Sequence, residues 1–179
     1  MKVFFMRHGH TYCNEKKLHN GQLDEELDAT GVEQARQASE AMKDMTFDVI
    51  YCSPLLRARH TCEIINRRNQ PVIYDDRLKE RTLGVLDGKS WRAEGYSGQQ
   101  HFNYYHHYAV EGAENWPDLF RRVQSFLDML RETYTNERIL VVCHGALIRA
   151  VHFSLCGIPE DGDLSGFDME NCQVREYEL

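Results

Sequence analysis

Two histidines, two arginines and a glutamate are the side chains with which this sequence could do chemistry. Arg7-His8-Gly9 sets a cation, a titratable nucleophile and a flexible residue side by side, and His144-Gly145 repeats the last two near the other end of the chain. Arg57 and Glu80 lie between them. Each residue alone has an ordinary reading. Histidines at strand ends are often hydrogen-bonded core residues, arginines at helix starts mostly make surface pairs, and Glu80 beside Arg81 would normally be solvated. Together they suggest another role. Two guanidiniums and two imidazoles in one pocket make a site for a dianion, because the planar fork of arginine matches phosphate oxygens. No Walker-type loop, GxGxxG or carboxylate cluster is present to hold a nucleotide through magnesium. Neither a metal nor a cofactor is expected.

The elements that must position these groups are legible in the hydrophobic pattern. Val3 to Met6 is a short, nearly continuous apolar run, as in a strand buried on both faces of a parallel sheet. Ile139 to Cys143 is a second, and each run ends in a histidine. Ligand sites in open α/β sheets lie outside the carboxyl ends of the strands. Parallel neighbours would therefore bring both histidines to one rim. Phe47 to Cys52 reads as another strand, followed by Ser53-Pro54 as N-cap and first residue of a helix to about Arg67 that places Arg57 and Thr61 on one face. Residues 31–45 read as an amphipathic helix capped by Thr30, with Glu33 completing a capping box. Pro71 to Tyr74 is expected as a strand, Trp116 to Tyr134 as a strong helix, residues 146–156 as a helix, and residues 173–179 as an edge strand. The stretches 10–30 and 76–114 read as long irregular loops, the second with one ordered piece at Leu78–Gly88. Strands alternating with helices predict an α/β fold, a single domain over residues 1–179 with a mainly parallel central sheet flanked by helices.

The whole chain sets bounds on partners. It has 179 residues, 28 acidic against 21 basic, and a formal net charge of −7. Such a surface repels nucleic acid and anionic membranes, so neither is an expected partner. No run approaches a membrane span, and the apolar stretch after Lys2 is too short for a signal peptide. The cytoplasm is the expected address. The six cysteines show no CxxC pair and no regular spacing, which reads as free thiols in a reducing compartment.

Four segments, RHGHTYCN at 7–14, SPLLRARHT at 53–61, LKERTLGVLDG at 78–88 and VVCHGALIRAV at 141–151, resemble in order the motifs of the histidine phosphatase superfamily, the phosphoglycerate mutase-like family. GQLDEELDATGVEQA at 21–35 and EGAENWPDLFRRV at 111–123 are similar to its supporting segments. The resemblance implies a phosphoglycerate mutase-like fold and a metal-independent phosphatase acting on a small-molecule phosphate ester. It also implies that His8 is the nucleophile, forming a phosphohistidine with its ring oriented through its other nitrogen. Arg7, Arg57 and His144 would clamp the phosphoryl oxygens, and Glu80 would be the proton donor. Asn14, Asn20, Gly21 and Gly145 would contribute to substrate binding, and Gly9 would allow close backbone approach. His10 stands where mutases usually carry Glu, and Asn20 where they often carry Thr or Ser. With the short chain, these departures favour hydrolysis over mutase activity. The alternatives are a phosphoglycerate mutase, a phosphoprotein phosphatase, or a silent module that binds phosphate esters.

Gln99 to Tyr108, QQHFNYYHHY, has no counterpart in that pattern. His101, His106 and His107 lack an acidic or thiol partner for a metal site. A packed or mobile aromatic cover is expected instead, with Phe102, Tyr104 and Tyr105 choosing the organic half of the substrate. Trp91, Tyr96 and Trp116 read as packing residues.

Overall fold

A computed structural model of the chain describes residues 1–93, 97–107 and 109–179; Tyr96 and Tyr108 lie outside the described residues. The elements run β1 (Lys2–Arg7), α1 (Tyr12–Lys16), α2 (Ala29–Ala41), β2 (Val49–Cys52), α3 (Leu56–Ile65), β3 (Val72–Tyr74), α4 (Gly98–His101), α5 (Trp116–Thr133), β4 (Arg138–Cys143), α6 (Gly145–Cys156) and β5 (Val174–Glu178). They build a five-stranded sheet in the order β3-β2-β4-β1-β5. Pairings β1/β4, β2/β4 and β2/β3 are parallel, and only β5 runs antiparallel, against β1. The mainly parallel α/β fold is as the sequence predicts.

The apolar runs are explained by burial on both faces. Val3 and Phe5 of β1, with Ile139, Val141 and Cys143 of β4, face a core closed by Leu119, Val123, Phe126, Leu127 and Leu130 of α5 and by α6. Phe4 and Met6, with Leu140 and Val142, face the other way onto Ala58, Cys62 and Ile65 of α3. Trp116 is fully buried, as expected of a packing residue. All six cysteines are free thiols, four of them buried. No helix among the described residues is long and apolar enough to cross a membrane.

Several local expectations are corrected. Helix α2 begins at Ala29 because the Asp28 side chain, not Thr30, accepts the capping bond, from the Gly31 N–H at 2.8 Å. It ends at Ala41, before Met45. The loop 10–30 contains α1, which Thr11 caps reciprocally with Asn14. Helix α3 starts two residues after Pro54 and stops at Ile65; the Leu56 N–H is taken by the Asp24 carboxylate at 2.7 Å, and Ser53 is freed for another task. Two 3₁₀ turns, Asp76–Leu78 and Gly84–Leu86, and the single turn of α4 order parts of the stretch 76–114.

Candidate active site

The sheet register makes the rim. Arg7 of β1 lies opposite Cys143 of β4, so His8 and His144 leave the sheet together. The ladder continues one residue further on either side. His8 N–H donates to the Cys143 carbonyl at 3.0 Å, and Ser53 N–H donates to the Val142 carbonyl at 2.9 Å. The two imidazole rings stand with centroids 5.1 Å apart. On the far side of β4, β2 leads into α3 and delivers Arg57 to the same point.

His8 is held in one tautomer. Its Nδ1–H donates to the Gly9 carbonyl at 2.7 Å, which leaves a lone pair on Nε2, and that atom accepts a bond from Arg57 Nε–H at 3.2 Å. Burial, and then the charges of Arg57 and Arg7, hold the ring well below the ordinary histidine pKa. A neutral imidazole with Nε2 facing a guanidinium is the form that can attack phosphorus. Arg57 is fully buried, its fork fixed on the carbonyls of Leu23 and Gly21 at 2.6 and 2.7 Å. Thr61, one turn further along α3, accepts the Gly9 N–H at 3.0 Å and donates to the Arg57 carbonyl at 2.7 Å. One helix thus fixes both the Gly9 peptide beside His8 and the guanidinium that His8 faces. Gly9 has no room for a side chain, since a Cβ would lie 2.6 Å from the Gly31 carbonyl oxygen. The close approach expected at Gly9 is to α2.

His144 is fully buried, and burial followed by the charge of Arg57 pushes its pKa well down. Its Nε2 lies 2.7 Å from Ser53 Oγ. Nδ1 of His144 and Nε of Arg7 are buried nitrogens without a hydrogen-bond partner among the described residues. The other Arg7 contact is from a terminal nitrogen to the Met169 carbonyl. Glu80 is tied by its two oxygens to the backbone N–H groups of Arg81 at 2.8 Å and Ala146 at 3.2 Å, the latter in the first turn of α6. Gln22 and Arg122 hold the Glu80 carbonyl at 2.9 and 3.2 Å.

His8, Arg57 and His144 are buried and do not line the neighbouring cleft, but the other predicted residues do. Arg7, Asn14, Asn20, Gly21, Glu80 and Gly145 all line one cleft of about 400 Å³. Asn14 donates to Asn20 at 3.2 Å, and Asn20 in turn to Thr11 at 2.9 Å. Asn171 donates to the His8 carbonyl at 2.9 Å. Sequence reasoning missed Ser53, Thr61, Asn171 and Arg122 as supports. A signal existed for the first two, which stand four residues before and after Arg57; Asn171, in the turn before β5, had none.

The aromatic segment needs correction. Leu18, Leu83, Trp91 and Phe102 line the cleft, with Arg149 stacked on Phe102 at 4.4 Å. Tyr104 instead packs its ring on Phe120, and Tyr105 is exposed against Gly162. His101, Phe102 and Tyr104 are packed: the His101 carbonyl accepts from Trp116 Nε1 at 2.6 Å and Arg81 at 2.9 Å, and Phe102 and Tyr104 pair with Leu164 and Gly162. Trp91, read as a packing residue, is 46% exposed in the cleft. No three His, Cys, Asp or Glu side chains among the described residues are grouped as a metal would require.

Burying neutral histidines makes the fold acid-sensitive. His8 and His144 sit well below 6.5, and burial with Arg81 pushes His101 down to about 2. In the unfolded chain each titrates near 6.5, so below that pH the unfolded state binds protons that the folded state does not. Stability is full above pH 6.5 and falls as pH drops toward the lowered folded values. Together these groups should cost stability on the order of a few kcal/mol between pH 7.5 and 5.5. Urea midpoints at the two pH values check this; equal midpoints would contradict it.

Comparison with known proteins agrees with the geometry. The family model for the histidine phosphatase superfamily (branch 1) matches residues 3–179. The uncharacterized phosphatase PhoE of Bacillus subtilis is 35% identical over 178 residues, spanning 99% of this chain and 88% of that protein. Phosphoserine phosphatase 1 of Hydrogenobacter thermophilus is 29% identical, spanning 100% of this chain and 85% of that one. Among solved structures, a mycobacterial glucosyl-3-phosphoglycerate phosphatase complexed with VO3 superposes with a TM-score of 0.87 at 26% identity, covering 98% of this chain and 91% of that one. With that match running nearly end to end and the two rim histidines set side by side, the chain belongs to the histidine phosphatase superfamily and is a phosphoric monoester hydrolase of that type.

Proposed function

We propose that the protein hydrolyses phosphomonoesters of small metabolites, without a metal, through a phosphohistidine on His8. The observation that carries this reading is the neutral His8 ring, its Nε2 lone pair presented to Arg57 and its Nδ1–H spent on Gly9. An incoming phosphoryl group takes the Arg57 Nε–H in place of His8 Nε2, which frees the lone pair. Nε2 then forms a bond to phosphorus as the ester P–O bond breaks, and Glu80 gives its proton to the departing alkoxide. In the second half Glu80 takes a proton from water, the water oxygen bonds phosphorus, the P–N bond breaks, and inorganic phosphate leaves. Arg7, Arg57 and His144 offset the charge on the phosphoryl oxygens throughout, which is the main demand of phosphoryl transfer. Asn14, Asn20, Gly21 and Gly145 shape the mouth around the phosphate. Phosphatases for phosphoserine and glucosyl-3-phosphoglycerate among the relatives support a small substrate. A cytoplasmic setting fits the free thiols.

The test is a panel of phosphorylated metabolites assayed for phosphate release, with His8→Ala as the blank. Release from several small esters and not from phosphopeptides is expected; release from phosphopeptides alone would overturn the small-metabolite reading.

Leu18, Leu83, Trp91 and Phe102 give the cleft an apolar lining for the organic half of the substrate. The backbone at Trp91 is anchored beside the cleft, its main-chain N–H donating to the Lys17 carbonyl at 3.0 Å. Trp91→Ala should raise KM for the best ester about tenfold, about 1.4 kcal/mol of lost binding. Inhibition by inorganic phosphate should hardly change. An unaltered KM for every ester would contradict the assignment.

A further inference from the structure

Resting on the reading of His144 as a donor to the phosphoryl group, we propose that Ser53 is a positioning residue that sets the tautomer of His144. Its hydroxyl keeps the proton of the neutral ring on Nδ1, so that an N–H and not a lone pair is offered to the anion. Ser53 is fully buried, and its backbone is locked into the sheet by the bond to Val142. Its Oγ accepts the Leu55 N–H at 3.4 Å, and its other contact is His144 Nε2 at 2.7 Å. A hydroxyl carries one proton, and a buried one must place it on an acceptor. Among the described residues Ser53 has one acceptor in reach, His144 Nε2. Donation there makes Nε2 the lone-pair nitrogen and puts the ring proton on Nδ1, the nitrogen that has no partner among the described residues.

The reverse tautomer fails twice. It would orphan the Ser53 proton in a buried site, and it would turn the Nδ1 lone pair toward a phosphoryl oxygen. The doubly protonated ring is disfavoured by burial and by Arg57. Ser53, Arg57 and Thr61 thus stand at successive intervals of four residues, and each disciplines one part of the rim: the ring of His144, the Nε2 of His8, and the Gly9 peptide.

Nitrogen-15 NMR of labelled wild-type enzyme at pH 7.5 reads the tautomer directly, since a protonated ring nitrogen and a bare one resonate far apart. His144 is assigned by its absence from His144→Asn. Nδ1 protonated and Nε2 bare is the expected result; Nε2 protonated would overturn the proposal, whether or not any Ser53 variant folds. Ser53→Ala should lower kcat for p-nitrophenyl phosphate about tenfold with KM little changed, because the N–H serves charge that grows in the transition state. Ser53→Thr, which keeps the hydroxyl, should recover most of that loss. A Ser53→Ala enzyme with full kcat would also overturn the proposal. A wild-type enzyme that released no phosphate from any ester would strike the functional reading and leave the tautomer to the spectrum.

Discussion

His8→Ala is expected to lower phosphate release by about 10⁴-fold or more while leaving a folded protein, because the residue supplies the bond that the mechanism makes and breaks. The cationic pocket alone would retain only what positioning and charge neutralisation give to attack by water. The variant removes the acceptor that Arg57 Nε–H uses at 3.2 Å, yet the Arg57 fork remains on Gly21 and Leu23. The pocket should therefore keep its shape and still bind vanadate. Steady-state rates with p-nitrophenyl phosphate, with circular dichroism as the fold control, check this. A loss of less than tenfold would remove His8 from the role of nucleophile.

Glu80→Gln should divide substrates by leaving group. An alkoxide needs a proton as it departs, whereas p-nitrophenolate leaves without one, and a positioned acid contributes about 10²–10⁴-fold where the proton is needed. The amide keeps the shape of the side chain, including an oxygen for the Ala146 or Arg81 N–H, and its backbone anchors through Gln22 and Arg122 are untouched. The single-turnover rate for an alkyl phosphate should fall about 10²–10³-fold. The burst of p-nitrophenolate should stay within about tenfold of wild type and give way to a slow steady state, because water is no longer deprotonated in the second half. Equal losses in the first step for both esters would exclude Glu80 as the acid.

The sheet and the placing of both histidines could be read from the chain because each strand buried on two faces has to be apolar along its length. Val3–Met6 and Ile139–Cys143 therefore mark themselves, and the polar residue that ends each marks the rim. Arg57 and Glu80 were legible only in company with the two histidines, and their separate roles only through the resemblance, since nothing in their own neighbourhoods tells a buried charge from a solvated one. What escaped were contacts made across long sequence separations. Ser53 read as a helix cap, because Ser-Pro is a cap signal, but Asp24 took the Leu56 N–H and left the hydroxyl for His144. Thr30 lost its cap role to Asp28, which His10 also contacts at 2.6 Å. Tyr104 and Tyr105 looked like a cover for the site because aromatic rings in a long loop suggest one. Their ring contacts with Phe120 and Gly162 could not be inferred from local pattern.

The covalent step is the centre of the account, and rapid quench of the enzyme with a phosphorus-32-labelled ester tests it most directly. Within one turnover the wild type should carry label that is stable in base and lost in acid, the signature of a phosphorus–nitrogen bond, and peptide mapping should place it on His8. The label should accumulate in Glu80→Gln, whose second half-reaction is slowed, and be absent from His8→Ala. A phosphoprotein stable in acid, or one that survives in His8→Ala, would contradict the mechanism.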